Sequence, residues 1–104
     1  MSYYLVLVTT PGARVSEKLS KGLLQLKLAA CVNRIRGIQS RYWWEGKIQT
    51  AREELLLIKT RKNRIPPLVR WVRLNHPYRV CEIVALPITG GNKPYLDWIG
   101  KSVG

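Results

Sequence analysis

His76, Cys81 and Glu82 carry an imidazole, a thiol and a carboxylate close together in the chain, a set with the chemistry to hold a divalent ion. A firm transition-metal site takes three or four protein ligands, and His76 is the single histidine. The set therefore predicts weak binding, completed by water or a neighbouring subunit, or a hydrogen-bonded structural role for His76 instead. Cys31 and Cys81 lie too far apart for a disulfide scaffold and read as buried free thiols in a reducing compartment. The loop Thr9-Thr10-Pro11-Gly12 has no thiolate pair, which excludes a Cu(I)-transfer loop at that place. Hydrolytic chemistry fares no better. Ser16, Ser20, Ser40 and Ser102 are scattered around one histidine, and six acidic residues offer no evident carboxylate pair. Gly90-Gly91 leads into Asn92-Lys93-Pro94 and not into the Lys-Ser/Thr of a phosphate loop, and Arg14 lacks the surroundings of a phosphoryl-transfer loop. The expectation is a protein that is not an enzyme and requires no cofactor.

The chain that must position these groups has 104 residues and a mass of 12.0 kDa, which predicts one domain over 1–104. Its hydrophobic fraction of 46% suits a globular core. No apolar run approaches the roughly 20 residues that span a bilayer, and Leu5 to Val8 lacks a basic leader, so a soluble, cytoplasmic chain without membrane partners is expected. Eighteen basic against six acidic residues give a net charge of +12, which draws anions by long-range field. Arg14, Lys18, Lys21 and Lys27 fall on one helical segment, and Arg61, Lys62, Arg64, Arg70 and Arg73 cluster around another.

Tyr3 to Thr10 is β-branched and aromatic without charge, as for a strand covered on both faces, and Pro11-Gly12 ends it. From Ala13, the spacing of Val15, Leu19, Leu23, Leu26 and Ala30 predicts a helix with Lys18, Lys21 and Gln25 outward. Gly22 within it suggests close packing on the sheet. Cys31 to Trp44 alternates in polarity with a bulge expected at Arg36-Gly37, Glu45-Gly46 turns, and Lys47 to Thr60 returns through Leu55-Leu56-Leu57-Ile58, a run that predicts burial on both faces. Ile65-Pro66-Pro67 opens a second helix that ends at Asn75-His76-Pro77; a strand over Val80 to Ile88 and a helix over Pro94 to Ser102 follow. The order βαββαβ plus a C-terminal helix is α+β, the ferredoxin-like split βαβ arrangement. A ribonucleoprotein-type role is not expected, because such domains stack bases on aromatics of the third strand, and this chain has no Phe and places Leu55-Leu56-Leu57 there.

The hairpin arms exceed a typical strand, so their distal ends must project beyond the sheet. They carry Tyr42-Trp43-Trp44-Glu45-Gly46-Lys47-Ile48. Adjacent strand tryptophans point to opposite faces, and each buries roughly 150 to 250 Å² when packed. Two apolar partners are needed, and a projecting edge invites a second chain.

Six segments, in order, resemble the CutA family of divalent-cation tolerance proteins: Leu28-Ala29-Ala30-Cys31-Val32-Asn33, Tyr42 to Ile48, Leu56 to Thr60, His76-Pro77-Tyr78, Glu82 to Ile88, and Tyr95 to Ile99. The resemblance covers nearly the whole chain. It implies a ferredoxin-like homotrimer whose hairpins reach across to neighbours, with Trp43, Trp44 and Ile48 in the interface. It also implies a non-enzymatic role in divalent metal (copper) tolerance, a likeness to trimeric PII signalling proteins and, in animal members, a link to acetylcholinesterase anchoring. Carried over by position, the cleft or ligand-binding residues are Tyr42, Trp44, Glu45, Lys59, Tyr78 and Glu82, with His76 and Cys81 as metal ligands. Arg79 stands where relatives often have an acidic or neutral residue, Cys81 where Pro or Ala is usual, and Val8 where some carry a thiol-type ligand. A positive neighbour repels a cation, so Cu(II) or another divalent ion is expected to bind weakly. The alternative is a PII-like signalling or scaffold module that takes an acidic partner, nucleotide or nucleic acid on its basic surface.

Overall fold

A computed structural model describes residues 2–104. The strands β1 (Tyr3–Thr10), β2 (Cys31–Trp44), β3 (Lys47–Arg61) and β4 (Ile83–Ile88) form one antiparallel sheet in the order β2-β3-β1-β4. The helices are α1 (Ala13–Gln25), α2 (Ile65–Asn75), which follows a 3-10 turn at Lys62–Arg64, and α3 (Lys93–Val103). This is the ferredoxin-like α+β arrangement.

Register decides which residues share a face. Val6 opposes Ile58 on one side and Ala85 on the other, and Val8 opposes Leu56 and Ile83. These side chains point towards α1 and α2, where they bury completely with Leu19, Leu23, Leu68 and Val72. The alternate set, which includes Leu5, Leu7, Leu55 and Leu57, is only half-buried. The expected burial of β1 and β3 on both faces therefore does not occur within one chain. Val84 and Leu86 on β4 and Ile35 on β2 belong to this second face and are exposed. α3 contacts β3 and β1 and buries Ile99 and Val103 outside the main core cluster.

The first helix ends at Gln25, one turn short of its expected stripe. Leu26 is exposed, and the chain turns through Lys27, which has a positive φ of 58°. Leu28 and Ala29 reach the core in its place. Gly22 does sit at a close approach, but to a helix and not to the sheet: a Cβ there would overlap the tip of the Trp71 ring on α2. The β2–β3 pairing slips between Ile35 and Ile38, where Gly37 takes a φ of 72°. At the hairpin end, Glu45 and Gly46 have φ values of 51° and 76°, the doubly left-handed geometry of a type I′ turn.

β1 pairs only with Glu54 to Arg61 of β3, so the arm from Lys47 to Glu53 is held by β2 alone. This arm projects and stretches the molecule to 44 × 25 × 22 Å. β4 begins at Ile83 and not at Val80, because β1 ends opposite it: Val8 pairs with Ile83, and only Thr9 and Thr10 remain beyond. Residues 77–82 are consequently irregular and run past the end of β1 towards the projecting arm.

Candidate functional site

The gap between the projecting hairpin and the irregular segment is a cavity of about 810 Å³. Tyr42, Trp43 and Trp44 line it from β2, Glu53 from β3, and Tyr78 to Glu82 from the irregular segment. Tyr42 and Trp44 share the sheet face of Glu53, since Ile38 opposes Glu53 and the alternation continues from there.

Glu53 is a buried carboxylate that accepts a hydrogen bond from the Tyr78 hydroxyl through Oε2 at 3.3 Å. Burial, then the charge of Glu53 and the hydrogen bond to it, raise the Tyr78 phenol above its ordinary value of 10.0. Tyr78 thus remains a proton donor at neutral pH. Behind it, the His76 ring packs on Tyr78 with centroids 4.8 Å apart. His76 Nε2 lies 2.8 Å from the Thr9 carbonyl oxygen, and Nδ1 accepts the Tyr78 backbone N–H at 3.1 Å. Because a carbonyl only accepts, Nε2 carries the proton and both ring nitrogens are engaged.

This geometry separates the residues that the sequence grouped. Tyr42, Trp44, Tyr78, Cys81 and Glu82 surround the cavity, together with Trp43. His76 stands behind it as a strut and would have to surrender a hydrogen bond to ligate a metal. Glu45 sits in the turn at the hairpin tip, and Ile48 is exposed opposite Trp43. Lys59 is on β3 opposite Cys31, where its ammonium donates to Asn33 Oδ1. Cys81 and Glu82 precede β4 and do not lie within it. Glu53 was not singled out from the sequence, although two adjacent acids in a strand must point to opposite faces. Its neighbour Glu54 turns to the helix side and holds Arg34 through two bonds of 2.6 and 3.0 Å.

Among the described residues, no three His, Cys, Asp or Glu side chains converge to hold a metal ion. Within one chain, the cavity offers Glu53, Glu82 and Cys81 alongside the cationic Arg41 and Arg79. The donors suit a divalent cation, the arginines oppose it, and a hard or borderline ion would need further ligands.

The sequence pattern of the family described as CutA1 divalent ion tolerance protein matches residues 4–102. The chain belongs to this family. A chloroplastic CutA 1 protein of Oryza sativa subsp. japonica is 50% identical over 98 residues, covering 94% of this chain and 55% of that protein. The chain thus spans about half the length of that relative, whereas it covers 97% of the divalent-cation tolerance protein CutA of Thermus thermophilus, at 45% identity over 96% of this chain. The solved Thermus thermophilus structure superposes with a TM-score of 0.96 at 44% identity, covering 98% of this chain and 99% of that one. The crystal structure of Oryza sativa CutA1 gives 0.95 at 48% identity, covering 98% and 94%. Family membership and these superpositions account for the fold. No helix among the described residues is long and apolar enough to cross a membrane.

Proposed function

We propose that the protein is a non-enzymatic homotrimer that binds divalent cations such as Cu(II) weakly, at clefts completed between subunits, and serves metal tolerance in this way. One observation carries the reading: in a single chain the 810 Å³ cavity is walled on one side only by a hairpin whose apolar residues lack cover. Trp43 is 72% exposed and Ile48 59%, and Ile35, Val84 and Leu86 on the other sheet face are also exposed, though less so. These residues lie on two faces, Trp43 and Ile48 on one side of the hairpin and Ile35, Val84 and Leu86 on the other side of the sheet, and a monomer rarely leaves apolar surface open on both. Closed cyclic assembly covers the same patch on every copy and removes the β2 and β4 edges from solvent.

Glu53, Glu82 and Cys81 are separate donors on the cavity wall that do not converge within one chain, so ligands from a neighbouring subunit complete the site, and Arg41 and Arg79 keep the affinity low. His76 shapes the cleft and does not ligate, because both its nitrogens are committed. The same commitment removes the only imidazole from general acid–base work, which supports a non-enzymatic role. Two free cysteines suit the reducing cytoplasm. Relatives' names include a chloroplastic and a periplasmic protein, so fractionation of the source cells tests this part.

Light scattering at micromolar concentration is expected to return three times the 12.0 kDa chain mass. Calorimetric titration with Cu(II) is expected to show weak binding that Glu53→Gln and Cys81→Ser each reduce. A monomeric mass, or isotherms unchanged in both variants, overturns the proposal.

A further inference from the structure

Beside the first cavity lies a second hollow of about 520 Å³, and Tyr78 and Arg79 form the wall between them. Arg70 and Arg73 from α2 and Arg79 from the irregular segment line this hollow, with Leu74, Pro77 and Tyr78. All three arginines are exposed, and none is in an ion pair among the described residues, where the pairs formed involve Lys21, Arg34 and Lys93. The six carboxylates are all placed elsewhere. Glu17, Glu54 and Asp97 serve those pairs, Glu53 and Glu82 line the other cavity, and Glu45 is in the hairpin turn. Three guanidinium groups thus line one concavity that contains no carboxylate, with Arg79 on the wall it shares with the cavity of Glu53 and Glu82.

Helix chemistry does not account for them. Basic residues often support a helix C-terminus, but the end of α2 is already satisfied: the His76 N–H donates to the Val72 carbonyl at 2.8 Å, and Asn75 Nδ2 donates to the Trp71 carbonyl at 2.9 Å. Arg79 lies beyond the helix altogether. Its place is fixed by the bonds on the preceding residue, from the Tyr78 N–H to His76 and from the Tyr78 hydroxyl to Glu53. The cluster is held in position by a framework that needs none of its charges.

We propose that this hollow binds a small, multiply charged phosphate compound, clamped by Arg70, Arg73 and Arg79. The guanidinium fork matches phosphate oxygens two at a time, which an isolated ammonium cannot do. The volume falls within the roughly 300 to 1,000 Å³ of small-ligand sites. Leu74, 84% exposed on the rim, gives an apolar wall with Pro77 and Tyr78 for an attached organic group. Three arginines at one concavity, and not a stripe along a face, favour a compact anion over a nucleic-acid backbone. The hollow holds none of the proposed metal donors, although Tyr78 and Arg79 wall both cavities, and the proposal stands whether or not a cation binds in the other.

Calorimetric titration of the assembled protein with inorganic tripolyphosphate, and separately with ATP, in about 150 mM NaCl tests this against diffuse charge attraction. Saturable binding at one site per chain is expected, weakened about tenfold or more by each of Arg70→Gln, Arg73→Gln and Arg79→Gln. Lys101→Gln, the same charge change on α3, should leave it within about twofold, and thermal melts should show all four variants folded. Tighter binding of ATP than of tripolyphosphate assigns the organic group to the Leu74 wall, and equal binding assigns recognition to phosphate alone. Absence of saturable binding, equal weakening by Lys101→Gln, or binding of a short single-stranded oligonucleotide where tripolyphosphate fails overturns the proposal.

Discussion

Replacing His76 with Ala tests whether this ring is a strut or a ligand. The substitution removes the donor to the Thr9 carbonyl, which is buried, and the acceptor of the Tyr78 N–H, which is part-buried. A buried backbone group left unpaired costs about 1 to 3 kcal/mol and a part-buried one less, so the two predict a loss of roughly 1 to 4 kcal/mol. The lost ring contact with Tyr78 adds about 0.5 to 1.5 kcal/mol. For a domain whose whole stability is about 5 to 15 kcal/mol, this is a large fraction.

The two bonds can be separated. His76→Gln keeps a donor near the Nε2 position for the Thr9 carbonyl, and His76→Asn keeps an acceptor near Nδ1 for the Tyr78 N–H. Each should therefore lose about half as much as Ala. Urea unfolding at one fixed protomer concentration, with the slope compared across variants, measures this without confusing stability with mass action. An Ala variant within about 0.5 kcal/mol of the parent would refute the reasoning, since surface substitutions fall in that range. Loss of Cu(II) binding with stability intact would show the ring to be a ligand after all.

The other expectations concern particular contacts. Gly22→Ala gains about 1 kcal/mol of helix propensity but drives a methyl into the Trp71 ring, at about 1 to 3 kcal/mol for overpacking, so a thermal melt should show a net loss that Trp71→Leu relieves. The Arg34 hydrogen bonds, then Ser16, hold the Glu54 carboxyl below its ordinary 4.5. Since the folded value is the lower one, this stabilisation is present above pH 4.5 and disappears as pH falls through the depressed value; in Glu54→Gln, acid denaturation should lose that part of its pH dependence. Tyr78 is shifted the other way. Its stabilisation is complete below pH 10 and is lost as pH rises through the raised value, so Tyr78→Phe should flatten the alkaline limb of a stability profile. Replacing Trp43 and Ile48 together with Ser should lower the assembled mass seen by light scattering while the far-ultraviolet spectrum is retained, because the pair lies outside the core.

Much of the fold was legible because its signals are local. The type I′ turn at Glu45-Gly46, the bulge at Gly37 and the proline-led start of α2 each rest on backbone chemistry that a few residues specify. What escaped depended on partners distant in sequence. Gly22 announced close packing, but only the α1–α2 crossing shows that Trp71 is what approaches. The run Val80 to Glu82 has strand composition, yet strand β4 starts only where β1 can pair with it. Leu55-Leu56-Leu57-Ile58 reads as doubly buried, and within one chain alternation leaves Leu55 and Leu57 half-covered. In the site, the aromatic hairpin and the Tyr78 segment were readable, whereas Glu53 was not. Its importance comes from a hydroxyl 25 residues away that no spacing rule connects to it.

The half-covered face gives the failed expectation of double burial a physical content. Leu5, Leu7, Leu55 and Leu57 form an apolar stripe that continues through the exposed Val84 and Leu86, and no helix of the same chain covers the stripe at the hairpin end. Each large aliphatic side chain left uncovered forgoes roughly 1.5 to 3 kcal/mol, an incentive that grows with every residue in the stripe and repeats in every copy. The hairpin whose β3 arm leaves β1 behind at Glu54 carries Trp43 and Trp44, on β2, past the core and makes one wall of the cavity. Covering the stripe and closing the cavity are linked demands, because β3 carries Leu55 and Leu57 of the stripe and Glu53 of the cavity on the same face. In the proposed assembly, burying this face against other copies would set those copies beside Glu53 and Tyr78, where the proposed cation site needs its remaining ligands.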